Sequence, residues 1–318
     1  MRLIPWSEEW IDEIVELWNK EIGSNFPMRK ELFKQNSFDD INVCNRGSGI
    51  VLDHNNDVIG FIVAKVLQEK LVENMDENLG WIQTILVDKT YRLKGIGTAL
   101  LSIAENELKQ NNAHRIRLGG DPWHYFPGIP QSSSDLEKWF TSKGYSKTGI
   151  EFDLINHPST LYSISFNVNK DVHFSLLQND EKEDLLSFLK ECFPGRWEYE
   201  AFKYFESGGS GRGFVVLKKS ERIIGFCRIN DRDAPLIAQN VYWDPLFNQK
   251  VGGIGPLGID PNEQKKGYGI EIVKAAISFL QKRSIDTFII DWTSLTAFYA
   301  KLGFDKWKSY STYIKHLK

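Results

Sequence analysis

One stretch of this sequence occurs twice, as Val87-Asp88-Lys89-Thr90-Tyr91-Arg92-Leu93-Lys94-Gly95-Ile96-Gly97-Thr98 and, 172 residues later, as Ile259-Asp260-Pro261-Asn262-Glu263-Gln264-Lys265-Lys266-Gly267-Tyr268-Gly269-Ile270. Each copy follows an apolar segment and leads into a run whose apolar residues recur at three- and four-residue steps. That spacing is typical of a helix with one face on a core. The repeat therefore predicts a strand, a glycine turn and a helix, used twice.

A second pair of matching segments follows the repeat. Trp139–Tyr145 parallels Phe298–Phe304, and each predicts a short helix that ends at a glycine in the left-handed conformation. The first copy is about 13 residues longer between the two motifs. We place these extra residues in the turn-rich segment Gly119–Pro130. Its aromatic residues either line an acceptor pocket or fill the gap between the two halves, and the sequence leaves both interpretations open.

The remaining segments have the same order in both halves: strands first, then alternating helices and strands. This order predicts a mixed α/β fold, present as two tandem repeats. A length of 318 residues accommodates two domains of ordinary size. The polar turns around residues 156–171 favour a boundary near 165, which gives domains 1–165 and 166–318.

Composition and charge exclude several classes of protein. Apolar residues make up 42% of the chain, and the 39 basic and 42 acidic residues leave a formal charge of −3. Such a chain is neither disordered nor basic enough for nucleic acid to be its main partner. It contains no apolar run of the roughly 20 residues that span a bilayer, and no histidine or cysteine cluster with metal-ligand spacing. The three cysteines lie far apart, which favours a cytoplasmic protein without disulfides.

The glycine turn has a specific physical use. The first amides of a helix have no acceptor inside the helix, and the aligned peptide dipoles add partial positive charge there. Glycines let this surface approach an anion closely, so the unit forms a cradle for a phosphate or pyrophosphate. Neither copy has the ending of a Walker A loop or the third glycine of a dinucleotide fingerprint. A tight structural turn is the simpler alternative, but two matching copies favour phosphate binding.

The pattern [R/Q]-x-x-G-x-[G/A], here Arg92–Gly97 and Gln264–Gly269, resembles the acyl-CoA-binding motif of the GCN5-related N-acetyltransferase (GNAT) family. Phe298–Phe304 resembles a later segment of the same family. The resemblance covers both halves and implies a GNAT-like acyl-CoA N-acyltransferase fold with acetyl-CoA as co-substrate and no metal. It implies that the cofactor is bound by Leu86, Val87, Arg92, Lys94, Gly95, Ile96, Gly97, Thr98, Leu257, Ile259, Gln264, Lys265, Lys266, Gly267, Tyr268, Gly269 and Ile270. It also implies that the thioester lies between two splayed strands, Trp81–Val87 with Arg115–Leu118 and Gly253–Ile259 with Thr287–Asp291.

The resemblance also suggests catalytic residues. Tyr299 occupies the position of the general acid that protonates the leaving thiolate, whereas the first half has Phe140 there. Either Tyr125 replaces the missing hydroxyl, or the first half binds the cofactor without turnover. A buried core residue is the alternative role for Tyr299.

The general base is harder to assign. Asp291 and Asp121 each end the strand after the cofactor helix, where a carboxylate is able to accept a proton from the substrate ammonium. A turn or helix-cap role is an equal alternative for both. Backbone amides near Leu86–Val87 or Leu257–Gly258 are candidates for stabilising the oxyanion.

These assignments predict an acetyltransferase that acts on a primary amine of a small molecule or peptide in a ternary complex, with the second half catalytic. The alternative is a CoA-binding sensor or scaffold with one or both halves silent. A nucleotide-phosphate enzyme is a third reading. The acceptor and the oligomeric state are left open by the sequence.

Overall fold

The computed structural model describes residues 1–69, 71–131, 134–158, 167–169 and 171–317, with the backbone alone for 167–169. Its strands are β1 (Arg2–Pro5), β2 (Gly49–Leu52), β3 (Val58–Val66), β4 (Leu79–Val87), β5 (Arg115–Leu118), β6 (Ile129–Pro130), β7 (Ser146–Asn156), β8 (Asn167–Asn169), β9 (Val172–Leu176), β10 (Phe214–Lys219), β11 (Arg222–Asn230), β12 (Val251–Ile259), β13 (Thr287–Thr293) and β14 (Asp305–His316). Its helices are α1 (Ile11–Ile22), α2 (Lys30–Ser37), α3 (Ile96–Gln110), α4 (Ser134–Ser142), α5 (Lys182–Cys192), α6 (Arg196–Glu206), α7 (Tyr268–Gln281) and α8 (Thr296–Ala300). None of the helices in this described part is long and apolar enough to cross a membrane.

The chain forms two compact units, each with its own core. The first unit comprises Met1–Lys70, Asp76–Glu151 and Ser309–Lys318, and the second comprises Leu71–Met75 and Phe152–Lys308. In the first, α3 packs its apolar face on β3 and β4; in the second, α7 packs on β10, β11 and β12. The mixed α/β fold and its twofold use along the chain are thus confirmed.

In each unit the two central strands are parallel and separate after a few residues. β4 pairs with β5 only over Leu79–Ile82, and β12 pairs with β13 only over Val251–Gly253. The later part of β4 and of β12 pairs on one side only, with β3 and β11 respectively. The register of β12 shifts at Gly255 and Pro256, where a proline without an amide proton is tolerated in a bulge. Both units therefore have the predicted splayed strands.

The last strand of each sequence half contributes to the other unit. The end of β7, Phe152–Asn156, pairs with β13 in the second unit. Conversely, β14 pairs with β5 and with the short β6 in the first unit. Side chains fix this strand in the first unit, because Ser311 and Tyr313 both donate hydrogen bonds to the Glu137 carboxylate. The compact units thus differ from two consecutive segments. The predicted boundary near residue 165 lies among 159–166, outside the described residues, and stays a prediction.

Candidate functional site

The two glycine turns have the same backbone conformation. Leu93 and Lys265 are left-handed, with φ of 61° and 64°, and two residues later Gly95 and Gly267 have φ of 85° and 84°. A Cβ atom built on either glycine has no atom within 4 Å. Glycine is therefore needed here for its backbone angle and for the open space above the turn, not for packing against the protein.

Side chains at matching positions hold both turns. Arg92 Nε donates to the Val87 carbonyl oxygen at 2.9 Å, and Gln264 Nε2 donates to the Ile259 carbonyl oxygen at 3.1 Å. Arg92 also pairs with Glu21. The first residue of each motif is thus fastened back to the end of its own strand. This contact explains why either arginine or glutamine serves at this position.

The aspartate at the second position of each repeat, Asp88 or Asp260, caps the short turn that follows it. Asp88 accepts from the Thr90 amide at 2.8 Å, and Asp260 accepts from the Asn262 amide at 2.9 Å. Burial alone would raise the pKa of Asp88, but its hydrogen bonds from Lys20 and Thr90 hold that pKa at about 2. The repeated aspartate therefore has a structural role in shaping the turn.

Both cradles expose the beginning of a helix. α3 begins at Ile96 and α7 at Tyr268, immediately after the left-handed glycine, and residues 92–95 and 264–267 are exposed. The amides of this first helical turn have no acceptor within the helix, and the glycine side is open. The geometry fits a pyrophosphate in each unit.

The other predicted cofactor residues surround these two helix starts. Leu86 and Val87 end β4, and Leu257 and Ile259 lie near the end of β12; the lysines stand on the exposed turn. Lys94 Nζ lies 4.8 Å from the centre of the Tyr91 ring. Lys266 Nζ pairs with the Glu263 carboxylate at 2.5 Å. The structure thus brings together, in each unit, the residues that the motif predicts around one cradle.

One aromatic ring lies against the second glycine of each motif. A Cβ at Gly97 would be 3.5 Å from the Trp139 ring, and one at Gly269 would be 3.5 Å from the Phe298 ring. The short helices α4 and α8, which carry these rings, therefore have matching positions in the two units. Tyr299 and Phe140 follow the two rings directly and occupy equivalent positions.

Tyr299 and Asp291 lie close together in the second unit. Tyr299 is buried, and burial together with the nearby Cys227 and Asp291 raises the pKa of its phenol, so the hydroxyl keeps its proton at neutral pH. Burial raises the pKa of Asp291 to about 6, against the opposing effect of the Arg196 charge. A carboxyl group that ionises near neutrality and a protonated phenol are a plausible base and acid.

A polar cluster, which sequence reasoning missed, surrounds the half-buried Asp291, and all of its members except Arg196 are buried. It consists of Arg196 and Glu200 of α6, Arg228 and Asn230 of β11, and Asn240. Arg196 Nε pairs with Glu200 Oε1 at 2.7 Å, and its guanidinium carbon lies 4.1 Å from the centre of the Trp292 ring. The sequence signal was a charged residue inside the apolar strand Ile223–Asn230, where burial requires a polar partner.

The first unit has a glycine where the second has Asp291. The parallel pairings begin with Leu79–Arg115 and Val251–Thr287, at the same distance before the motif aspartate in both units. Four residues after Arg115 comes Gly119, and four residues after Thr287 comes Asp291. Gly119 in the first unit is therefore equivalent to Asp291 in the second. Asp121 lies two residues further on, after two glycines with positive φ. The sequence-based pairing of Asp121 with Asp291 was therefore off by two positions.

Asp121 is fully buried in an ion-pair cluster. Lys65 Nζ lies 2.8 Å from Asp121 Oδ2 and 2.8 Å from Asp40 Oδ2, and none of these side chains is more than 2% exposed. Burial alone would lower the pKa of Lys65, but the two carboxylates raise it, so the ammonium stays charged. Gln83 adds a hydrogen bond to the Trp123 carbonyl oxygen. This environment supports a structural role for Asp121.

Tyr125 and its aromatic neighbours fill the core of the first unit. The Tyr125 hydroxyl and Ser37 Oγ are 2.7 Å apart, and the Tyr125 ring stacks on Phe33 at 5.8 Å. Phe126 stacks on Trp18 at 5.8 Å. Residues 118–129 are all buried. Their side chains therefore pack on α1 and α2, so this turn-rich segment belongs to the core of the first unit.

Comparison with known proteins identifies a family. The model for the "Acetyltransferase (GNAT) family" matches residues 11–125 and 182–304, one region in each half of the sequence. The chain is also 32% identical to a mycothiol acetyltransferase of Renibacterium salmoninarum over 138 residues. That alignment covers 42% of this chain and 35% of the relative.

Solved structures show the same fold over nearly the whole chain. A glucosamine N-acetyltransferase region of a fungal multi-domain β-N-acetylglucosaminidase matches with a TM-score of 0.86 at 22% identity, over 98% of this chain and 38% of that one. A tandem GNAT protein from the clavulanic acid biosynthesis pathway matches with a TM-score of 0.69 at 12% identity, over 99% of this chain and 98% of that one. The chain thus spans little more than a third of the curated relative and of the fungal protein, and these identities show the fold alone.

Proposed function

The chain belongs to the acetyltransferase (GNAT) family and is an acyltransferase, and we propose that its second unit transfers an acetyl group from acetyl-CoA to a primary amine. This proposal is supported by the position of Asp291 on the splayed part of β13 and by that of Tyr299 on α8, next to Phe298, whose ring packs on the α7 turn. The two groups are also near enough for the charge of Asp291 to act on the Tyr299 phenol. The first unit has Gly119 and Phe140 at the equivalent positions. The second unit alone therefore combines a cradle with a matched base and acid among the described residues.

The side chains divide the proton transfers. Asp291 accepts a proton from the acceptor ammonium, directly or through water, which leaves a neutral amine. The amine nitrogen then attacks the thioester carbonyl carbon, and amides of β12 near Leu257–Gly258 face the developing oxyanion. When the carbon–sulfur bond breaks, Tyr299 gives its proton to the departing thiolate, and the nitrogen, now part of the amide, loses its second proton to solvent. Asp291 and Tyr299 then return to their starting states by proton exchange with solvent.

The first unit is proposed to hold a second coenzyme without turnover. Its turn has the same backbone angles and the same open space as the second turn, which fits a pyrophosphate. Its Asp121 and Tyr125 are committed to buried contacts with Lys65 and Ser37. The sensor or scaffold function that the sequence left open is thus proposed for this unit only.

The acceptor is proposed to be a small polar amine. The fungal relative is named for glucosamine and the bacterial one for mycothiol, so glucosamine is the first probe. The polar cluster around Asp291 supports this choice, because a site for an apolar amine would not bury guanidinium and amide groups.

The test is thiol release from acetyl-CoA by the full chain with glucosamine, a peptide N-terminus and no amine. We expect release that depends on glucosamine, together with an N-acetylated product identified by mass spectrometry. A rise in melting temperature with CoA, without release for any amine, would instead support a sensor or scaffold. Preferential release with the peptide would keep the reaction and change the acceptor.

A further inference from the structure

β13 contains a bulge at the proposed base. Its pairing with β7 runs regularly up to Ile290 and resumes at Thr293. Between these pairs, two residues of β13, Asp291 and Trp292, lie opposite one residue of β7, Asp153. Such an arrangement is a β-bulge, which bends the strand and changes the direction of its side chains. The proposed base thus lies in the part of β13 where the ladder is interrupted.

Trp292 has an unusual backbone conformation in this bulge. Its φ is 44°, in the left-handed region that a bulky residue rarely adopts. At the equivalent position of the first unit, one residue after Gly119, the chain has Gly120 with φ of 69°. The second unit therefore has a tryptophan where the first has the residue that tolerates such an angle best. A residue in this conformation persists only when its surroundings hold it there.

A side chain of β7 makes the contact that holds Trp292. Asp153 Oδ1 accepts a hydrogen bond from the backbone amide of Trp292 at 3.2 Å, and Asp153 is 5% exposed. Asp153 belongs to the segment Phe152–Asn156, which lies in the first half of the sequence but pairs with β13 in the second unit. The exchanged strand thus supplies a buried acceptor to the bulge that contains the proposed base.

The bulge brings two consecutive side chains to one cation. The centre of the Trp292 ring lies 4.1 Å from the guanidinium carbon of Arg196, and the charge of the same arginine acts on the Asp291 carboxyl. In a regular strand, consecutive side chains point to opposite faces of the sheet. The interrupted ladder therefore explains how Asp291 and Trp292 both lie near Arg196.

We propose that Asp153 is a positioning residue for the reaction. By accepting the hydrogen bond from the Trp292 amide it holds the bulge, and the bulge holds the Asp291 carboxylate where it meets the acceptor amine. The inference rests on the proposed acetyl transfer by the second unit. It adds a residue that acts through the backbone of β13, and it gives the exchanged strand a role in the chemistry.

The titration of Asp291 reports on its position. Burial raises the pKa of Asp291 to about 6, so a carboxyl group that moves out toward water should titrate closer to its ordinary value of 3.8. Substitution of Asp153 leaves the other groups that act on Asp291 unchanged. These are Arg196 and Glu200 of α6, Arg228 of β11, Tyr299 of α8 and the amide of Asn240.

The experiment compares Asp153→Ala with Asp153→Asn in the full chain, with acetyl-CoA and glucosamine as substrates. Both variants remove the carboxylate, whose charge also acts on Lys308, but only asparagine keeps an oxygen that accepts from the Trp292 amide. Asp153→Ala should lower kcat by roughly 10- to 100-fold, because a displaced catalytic group costs that much in rate. KM for acetyl-CoA should change little, and Asp153→Asn should stay close to the wild type.

The pH midpoint is the readout that a loss of stability alone would not move. In Asp153→Ala the midpoint of kcat/KM should fall below 6, whereas in Asp153→Asn it should stay near 6. Titration of the Asp291 carboxyl by ¹³C NMR, assigned with Asp291→Asn, gives the same midpoint without turnover. If Asp153→Ala does not fold, Asp153→Ser repeats the comparison, because its hydroxyl lies one bond closer to its own backbone.

His157→Ala is the matched control. His157 Nδ1 and Thr287 Oγ1 are 3.0 Å apart and link the end of β7 to the start of β13, outside the bulge. Loss of this contact should leave both kcat and the pH midpoint unchanged. An equal effect of His157→Ala and Asp153→Ala would show that any weakening of the strand pair is sufficient, which would overturn the specific role of Asp153.

The remaining outcomes separate this inference from the proposed function. Wild-type kcat and an unchanged midpoint in Asp153→Ala would overturn the inference and leave acetyl transfer standing. A loss in Asp153→Asn as large as that in Asp153→Ala would also overturn it, because charge and not the hydrogen bond would then matter. If the wild type acetylates no amine, the proposed function fails. The NMR midpoints then test the positioning of Asp291 by themselves, and equal values in wild type and Asp153→Ala would overturn it.

Discussion

The two units present the same cofactor turn but differ in what lies beside it. The φ angles of Leu93 and Lys265 agree within 3°. Arg92 in one unit and Gln264 in the other make the same hydrogen bond to the end of the preceding strand. Where the second unit has Asp291 and Tyr299, the first unit has Gly119 and Phe140 at the equivalent positions. The comparison indicates that the proposed cradle depends on backbone geometry, whereas the proposed chemistry depends on two side chains that one unit lacks.

The sheet faces differ in the same sense. In the first unit the face beyond the turn is filled by aromatic rings and by the buried pairing of Lys65 with Asp40 and Asp121. In the second unit the corresponding face carries Arg228 and its polar neighbours. A face filled by aromatic rings leaves no room for an acceptor, whereas a polar face suits a polar amine. This difference supports the proposal that the first unit only binds the coenzyme and that the second is catalytic.

The largest expected effect comes from substituting Tyr299, with Phe140 at the equivalent position of the first unit as the comparison. Tyr299→Phe should lower kcat by about 10²–10⁴-fold, because a positioned general acid contributes that much. Phe140→Leu, its counterpart in the first unit, should leave kcat within about twofold after correction for folded protein. Thiol release under saturating acetyl-CoA measures both. Equal losses in the two variants would contradict the division between the units.

Asp291 provides the next largest effect, with a defined pH dependence. Because its pKa is raised to about 6, the carboxylate is available above that pH, and kcat/KM should rise with pH through a midpoint near 6. Asp291→Asn should lower kcat/KM by about 10²–10³-fold and abolish this limb of the profile. A wild-type profile that is flat between pH 5 and 7 would exclude Asp291 as the base.

Substitutions of Asp291 and Asp121 should have opposite effects on the free energy of unfolding. These are the smallest effects that we expect. Since the folded pKa of Asp291 lies above its ordinary value of 3.8, ionising it weakens the fold as pH rises through about 6. Asp291→Asn should then raise the free energy of unfolding at pH 8 by up to about 3 kcal/mol. Burial raises the pKa of Asp121 as well, but its carboxylate is one of the two that pair with the buried Lys65 ammonium, so Asp121→Asn should lower the free energy of unfolding by on the order of 2 kcal/mol. Urea unfolding at pH 8 and pH 5 measures both changes, and a loss of stability in Asp291→Asn at pH 8 would be inconsistent with a desolvated carboxylate.

The sequence was sufficient for whatever depends on local backbone geometry. The turns at Gly95 and Gly267, the helices after them and the splayed strands all follow from short motifs whose conformation their own residues determine. Pro256 lacks an amide proton, which is compatible with the bulge in β12.

Features that depend on distant partners could not be predicted. No local pattern shows that β14 completes the first unit or that β7 extends into the second, because the hydrophobic pattern of a strand does not specify which sheet the strand joins. The sequence-based alignment of Asp121 with Asp291 was off by two positions because of Gly119 and Gly120. Their positive φ values turn the chain away from the strand. Arg228 was visible as a charge in an apolar strand, but its partners come from α6 and β13, far away in sequence.

The most direct test of the central claim is calorimetric titration of CoA into Gly95→Asp and Gly267→Asp, with thiol release measured on the same samples. Aspartate tolerates left-handed φ, and its Cβ has open space in both turns, so the fold should persist while the carboxylate occupies the helix amides and repels the pyrophosphate. The matched Gly→Asn variants have a side chain of the same size without the charge. They therefore distinguish charge repulsion of the pyrophosphate from steric blocking of the turn. We predict two CoA molecules per wild-type chain and one in each variant, with turnover lost in Gly267→Asp and retained in Gly95→Asp. Turnover that is lost in Gly95→Asp and retained in Gly267→Asp would contradict the assignment of catalysis to the second unit.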